Sequence, residues 1–249
     1  MTNPRRVIAM ALGSSVDFTH RGNEPEWLDG TDIDPAELDR ALRDLARFNR
    51  TFLGHYLVLR WLRRAIGLAP KGTPLTVVDV GCGYGDLLRA IRHWSRRQAL
   101  ELKLVGVDLN PETIRIARTV TNPADRIEFR VANIFELGRT MPVDFMISSL
   151  VAHHLSDTEI CEFLGVMEAV VRRGWLIYDL ERHRFLYHFI GLTARLARLH
   201  PMVVQDGQIS VRRSLTRTEW EERIAAAGIS PADVTIRWFL FRFLIGRLR

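Results

Sequence analysis

The stretch Val77-Val78-Asp79-Val80-Gly81-Cys82-Gly83-Tyr84-Gly85-Asp86 constrains the fold more than any other part of the chain. Its apolar, β-branched start suits a central parallel strand covered on both faces. Glycines at alternate positions then end the strand and remove the Cβ atoms that would hold a ligand away from the backbone. Leu87-Leu88 with Ala90-Ile91 begins a helix directly afterwards, so its free N–H groups face the loop. Strand, glycine loop and helix in this order imply a nucleotide-type ligand on the rim of an open sheet.

Strand-like runs at 76–80, 102–107, 126–132, 143–149 and 174–179 alternate with helical runs near 86–97, 112–119 and 157–172. The alternation predicts an α/β, Rossmann-like, seven-stranded and mostly parallel sheet with helices on both faces. Right-handed crossovers put the C-terminal ends of the parallel strands on one rim. A helix from Thr218 to Ala227 and strands near 233–239 and 242–248 close the sheet, although Trp238-Phe239-Leu240-Phe241-Arg242-Phe243 holds no turn signal. Ahead of the first strand, Leu38, Leu42, Leu45 and Phe48 fall at helical spacing behind Asp34-Pro35, and Thr51 to Arg64 continues as helix. The expected division is a flexible segment over 1–33, a helical lid over 34–70, and a main domain over 71–249 with a helical insertion near 182–200.

Of the 249 residues, 47% are apolar and 26% charged, which suits a folded soluble domain and excludes a disordered chain. A net charge of +6 is compatible with nucleic acid, an anionic membrane surface, or an arginine-rich enzyme with neither partner. Cys82 and Cys161 provide neither a disulfide framework nor metal-ligand spacing, so a reducing, cytoplasmic setting and no metal are expected. The apolar run behind Arg5-Arg6 is at the short limit of a signal peptide, and no uncharged stretch reaches transmembrane length.

A dinucleotide fingerprint requires a third glycine where Asp86 stands. The G-x-G-x-G form behind Asp79 instead resembles motif I of the class I S-adenosylmethionine-dependent methyltransferases, and the resemblance runs from Thr76 to Asp179. It implies S-adenosylmethionine as cofactor. Asp79, Gly81, Cys82, Gly83 and Gly85 would shape its methionine end, Asp108 and Leu109 the ribose site, and Asn133 and Ile134 the adenine site, with Ser149 a further contact. Read by itself, Asp108 is either this ribose acceptor or the N-cap of the next helix, which starts at Asn110-Pro111-Glu112. The family usually has Asp where Asn133 stands; the Asn carbonyl oxygen can accept the same bond and its amide can donate another.

The layout is similar to that of small-molecule methyltransferases of quinone and polyketide pathways. This implies O- or C-methylation of a small, hydrophobic or aromatic acceptor, with no nucleic acid as partner. A nucleic-acid methyltransferase is the alternative enzyme, but those acting on base amino groups carry Asp or Asn and Pro-Pro behind the fourth strand, where this chain has Ser148-Ser149-Leu150-Val151. A noncatalytic interaction protein with the same fold is the other alternative. Candidate catalytic groups are His154 and His153 after the fourth strand and Asp179 after the fifth, with His183 close by. In the insertion, Arg184, His188, Arg195 and Arg198 share one helical face, with Phe185, Phe189, Leu192, Leu196 and Leu199 opposite. Such an element either packs on the domain, covers an apolar acceptor, or rests on anionic lipid as a peripheral contact.

Overall fold

The computed structural model describes residues 16–30, 32–69, 72, 74–136 and 143–249. Seven strands, β1 (Leu75–Val80), β2 (Leu102–Asp108), β3 (Ile127–Val131), β4 (Val143–Ser149), β5 (Val171–Leu180), β6 (Thr235–Trp238) and β7 (Arg242–Leu248), form one sheet in the order β3-β2-β1-β4-β5-β7-β6. All neighbours pair in parallel except β5 with β7 and β7 with β6. From β1 the chain moves outward through β2 and β3, then returns to place β4 on the other side of β1. The crevice beyond the C-terminal ends of β1 and β4 is therefore the topological switch point, where ligands bind in open α/β sheets.

Eight helices are described: α1 (Pro35–Thr51), α2 (Gly54–Gly67), α3 (Asp86–Arg97), α4 (Pro111–Val120), α5 (Asp157–Val170), α6 (Arg184–Leu196), α7 (Pro201–Arg213) and α8 (Arg217–Ala226). Alternate strand residues serve opposite faces. Val78 and Val80 pack with Phe163 and Met167 of α5 and Trp220 of α8, whereas Val77, Leu104 and Leu176 pack with Val58 and Leu62 of α2, Leu88 of α3 and Ile114 of α4. The caps explain several helix starts. Asp34 accepts from Ala36 and Glu37 N–H, Asn110 from Glu112 and Thr113 N–H, and Ser156 forms a reciprocal box with Glu159.

Three features depart from the sequence-based expectations. The insertion is a hairpin of two helices, α6 and α7, and extends to Arg213 rather than ending near 200. The face of α6 that packs is Leu186, Ile190 and Ala194, leaving Phe185, Leu192 and Leu196 56%, 57% and 73% exposed. The reason is Gly191: a Cβ there would lie 2.6 Å from Gln208 Nε2 of α7, so the bare backbone lets the two helices approach on that side. The turn from β6 to β7 is made by Leu240 and Phe241, at φ 46° and 58°, closed by reciprocal Phe239 and Arg242 backbone bonds. A tight hairpin of this kind normally takes Asn-Gly. Here Phe241 packs against His183, Phe185 and Trp238, and this tertiary contact offsets the unfavourable backbone.

Residues 1–15 of the segment expected to be flexible lie outside the described residues. Residues 16–30 follow a tethered path over the domain: buried Arg182 donates to Phe18 and Thr19 O, Arg21 Nε to Arg213 O, and Trp27 and Leu28 N–H to the Asp206 carboxylate. Of the two helices in the expected lid, α1 lies over the crevice, while α2 is embedded in the core through Val58 and Leu62. No described helix is long and apolar enough to cross a membrane.

Candidate active site

The strand β1 ends as Gly81 turns the chain at φ 68°, and Gly81 and Cys82 N–H both donate to Val107 O at the end of β2. The loop is thereby tied to the neighbouring strand. A Cβ on Gly81 would sit 2.3 Å from Val151 Cγ2, whereas one on Gly83, at φ 49°, would meet nothing within 4 Å. Gly81 is thus required by the protein's own packing, and Gly83 leaves room facing a cavity. Asp108 Oδ2 accepts from Gly83 N–H at 3.0 Å and Oδ1 from Asn110 N–H at 3.0 Å. Asn110, not Asp108, caps α4, so the capping alternative for Asp108 is excluded.

A cavity of about 540 Å³ fills the crevice. Every cofactor contact expected from the sequence lines it except Gly85, whose role is to start α3 in a left-handed turn packed on Phe129. Asp79 lies at the floor with Oδ1 buried and without a hydrogen-bond partner. Burial, with the charges of Asp86 and Asp108, raises the Asp79 pKa well above the ordinary aspartate range. Burial also raises that of Asp108, although its two backbone donors oppose the shift. Two carboxylates, Asp86 and Asp108, near the unpartnered Asp79 oxygen make a floor that favours a cation. Asn133 uses Oδ1 to accept from Phe135 N–H at 3.1 Å and donates from Nδ2 to Glu136 Oε1 at 3.5 Å, which leaves it one further lone pair and one amide proton for a ligand.

The opposite wall comes from the N-terminal segment and α1: Glu26, Leu28, Asp29, Leu42 and Leu45, with His154 and Leu150 beside them. His154 Nδ1 is 3.0 Å from Asp29 Oδ2. His153 and Asp179, expected on the rim, are 2% and 1% exposed and lie behind that wall. The Asp179 carboxylate receives His153 N–H at 3.0 Å and stands 2.7 Å from His153 Nδ1. Burial disfavours the His153 imidazolium, but Asp179 and then Glu26 outweigh it and raise the pKa to about 10. The same pairing holds the Asp179 carboxyl below its usual range against the opposing effect of burial. His183 caps α6, accepting from Phe185 N–H.

Several cavity residues had no signal in the sequence reading. Glu26 and Asp29 sit in the segment expected to be unstructured. His55, at the start of α2, places Nε2 2.7 Å from Asp86 Oδ2. Arg242 of β7 is 5% exposed, reaches the cavity beside Tyr178, and has no carboxylate within ion-pair distance among the described residues. Only Arg242's register opposite Leu180 could have pointed there, and register is a property of the sheet.

Residues 77–174 match the methyltransferase domain family. They form a class I methyltransferase domain, the domain of S-adenosylmethionine-dependent methyl transfer. The domain's fold is that of several solved methyltransferases. The plantazolicin methyltransferase BpumL, solved with a monoazolic desmethylPZN analog and SAH, is 16% identical with a TM-score of 0.61, over 86% of this chain and 95% of that one. The magnesium protoporphyrin IX methyltransferase (ChlM) from Synechocystis PCC 6803, solved with SAH, is 16% identical with a TM-score of 0.53, over 89% and 90%. The CMeT domain of the citrinin polyketide synthase is 15% identical with a TM-score of 0.56, over 78% and 51%. In this methyltransferase domain the glycine loop, Asp79 and Asp108 line one cavity.

Proposed function

We propose that the chain transfers a methyl group from S-adenosylmethionine to an oxygen or carbon of a small, hydrophobic or aromatic acceptor. The observation that carries this reading is the single cavity running from the glycine loop and Asp108 to the wall built by α1 and residues 26–29. Its floor suits the cofactor: the open space at Gly83, the unpartnered Asp79 oxygen and the surrounding carboxylates match a ligand with two positive centres. Asp108 would hold the ribose hydroxyls, Asn133 and Ile134 the adenine, and Asp79 the cationic methionine end. When bound, the cofactor supplies an electrophilic methyl on a sulfonium.

This chain's residues do the rest by positioning, which for a well-oriented pair is worth roughly 7–11 kcal/mol. Leu28, Leu42, Leu45 and Leu150 give an apolar chamber that excludes water from the acceptor. Glu26, Asp29 and His154 put polar atoms on the acceptor side, where an ionisable hydroxyl would be held. Asp179 and His153 do not reach the chamber wall; they are positioning residues, fixing the turn that carries His154. Two of the similar structures, solved with SAH, are named as methyltransferases of plantazolicin and of magnesium protoporphyrin IX, which supports an acceptor of this class. Isothermal titration tests the reading: binding of S-adenosylmethionine or its demethylated product in the micromolar range is expected, and no binding of NAD. The reverse preference would overturn it.

We also propose peripheral contact with anionic lipid through the exposed face of α6. Phe185, Leu192 and Leu196 stand out from the surface there, close in sequence to Arg184, Arg195 and Arg198.

A further inference from the structure

Two adjacent imidazoles and one carboxylate from the far N-terminal segment converge behind the acceptor chamber. Each histidine has its Nδ1 against a different carboxylate, His153 at 2.7 Å from Asp179 Oδ1 and His154 at 3.0 Å from Asp29 Oδ2. In each ring the other nitrogen, Nε2, points the other way. Both Nε2 atoms face Glu26, at 3.5 Å from Oε1 for His153 and 3.7 Å from Oε2 for His154. These separations exceed a good N–H···O bond. They are close to the roughly 3.4 Å edge of a tetrahedron whose metal–nitrogen and metal–oxygen bonds are about 2.0–2.2 Å.

Four further observations converge on the same place. One donor atom from each of the three residues lies within 4.8 Å of the others. His153 Nε2 is buried and has no hydrogen-bond partner. The carboxylates on Nδ1 are the outer-shell arrangement that orients metal-bound histidines. Glu26 is itself held in place, since Ser210 Oγ donates to Oε1 at 2.8 Å and Asp206 binds the two following backbone N–H groups. The metal-free alternative, a His153 imidazolium between Asp179 and Glu26, leaves Nε2 3.5 Å from Oε1, longer than a charge-assisted hydrogen bond.

We propose that Glu26, His153 and His154 form a binding site for a divalent transition metal, with zinc favoured by the two-imidazole, one-carboxylate donor set. A dication would offset the charges of Glu26 and Asp179, while Asp29 also lies 3.8 Å from Arg213 Nη1. A side cavity of about 80 Å³ bordered by all three ligands has room for a fourth ligand, and Glu26 and His154 also line the main chamber. If the methyl-transfer reading above holds, that open position faces the acceptor's hydroxyl. Metal binding itself does not depend on that reading.

The test uses the full chain, freed of metal with a chelator and titrated with Zn²⁺ by calorimetry, with Co²⁺ absorption as a second readout of ligand geometry. One Zn²⁺ per chain and a tetrahedral Co²⁺ spectrum are expected. Asp29→Asn, at a half-exposed position that leaves the fold intact, should weaken binding about 10–100-fold, and His154→Ala should abolish the stoichiometric site. Thermal melts confirm that each variant is folded, and the same Zn²⁺ titration of wild type saturated with SAH separates metal binding from cofactor binding. Absence of stoichiometric Zn²⁺ binding by the folded wild type overturns the proposal. So does equal affinity in His154→Ala, which would assign the ion to histidines elsewhere.

Discussion

Alanine at Gly81 and at Gly83 should have opposite consequences, although the two glycines are separated only by Cys82. Both are left-handed, at φ 68° and 49°, so a side chain at either costs about 1–2 kcal/mol in backbone strain. At Gly81 the new Cβ also lies 2.3 Å from Val151 Cγ2, more than 1 Å inside the roughly 3.5–4.0 Å optimum for two carbons. Overpacking of this kind costs a further ~1–3 kcal/mol, for a total loss of about 2–5 kcal/mol. At Gly83 no protein atom lies within 4 Å of the new Cβ, so only the strain is lost, but the methyl group occupies cavity space. Urea unfolding with linear extrapolation, read at constant m, gives the stabilities, and calorimetry with SAH gives the affinity. Gly83→Ala should lose only the ~1–2 kcal/mol of strain and bind SAH at least tenfold more weakly. Gly81→Ala should be the less stable of the two, and Val151→Ala in that background should recover part of the loss as a coupling of about 0.5–3 kcal/mol. Unchanged SAH affinity in Gly83→Ala would refute the cradle, and zero coupling between positions 81 and 151 would refute the clash.

Asp108→Ala should weaken SAH binding by about 1.5–3 kcal/mol, the value of hydrogen bonds to a charged group, and an unchanged dissociation constant would remove Asp108 from the cofactor site. Asp79→Asn should stabilise the ligand-free protein while impairing SAH binding. Its carboxyl has a folded-state pKa above the unfolded one, so ionisation is resisted by the native state and stability falls as pH rises past about 4. The gain from Asp79→Asn should therefore vanish near pH 3 and grow toward neutrality; a gain independent of pH in thermal melts would contradict the assignment. Vesicle flotation at low salt should retain the protein on anionic but not neutral lipid, and Leu192→Asp with Leu196→Asp should release it. Equal flotation with and without those substitutions would exclude α6 as the contact.

Much of the fold was legible along the chain because its signals are short-range. The continuous apolar runs of β1, β2 and β4, the caps at Asp34, Asn110 and Ser156, and the glycine loop each depend on residues within a turn or two of one another. The turn at Leu240-Phe241 was not legible, because aromatic packing across elements supports a backbone that its own residues disfavour. The packed face of α6 was left open for a similar reason: α7, whose approach Gly191 permits, decides which stripe is covered.

The sequence by itself determined a parallel α/β sheet, a glycine loop set for a nucleotide-like ligand, and the acid at Asp108 that accompanies it. Only the tertiary structure decided that His153 is buried behind the wall while His154 faces the chamber, that Asp179 holds that turn, and that Arg182 and Asp206 tether an N-terminal segment bringing Glu26 to both imidazoles. The physical reason is range. Periodicity and capping are written within a few consecutive residues, whereas the meeting of Glu26 with His153 and His154 exists only once the sheet, the α6–α7 hairpin and the N-terminal segment have packed together.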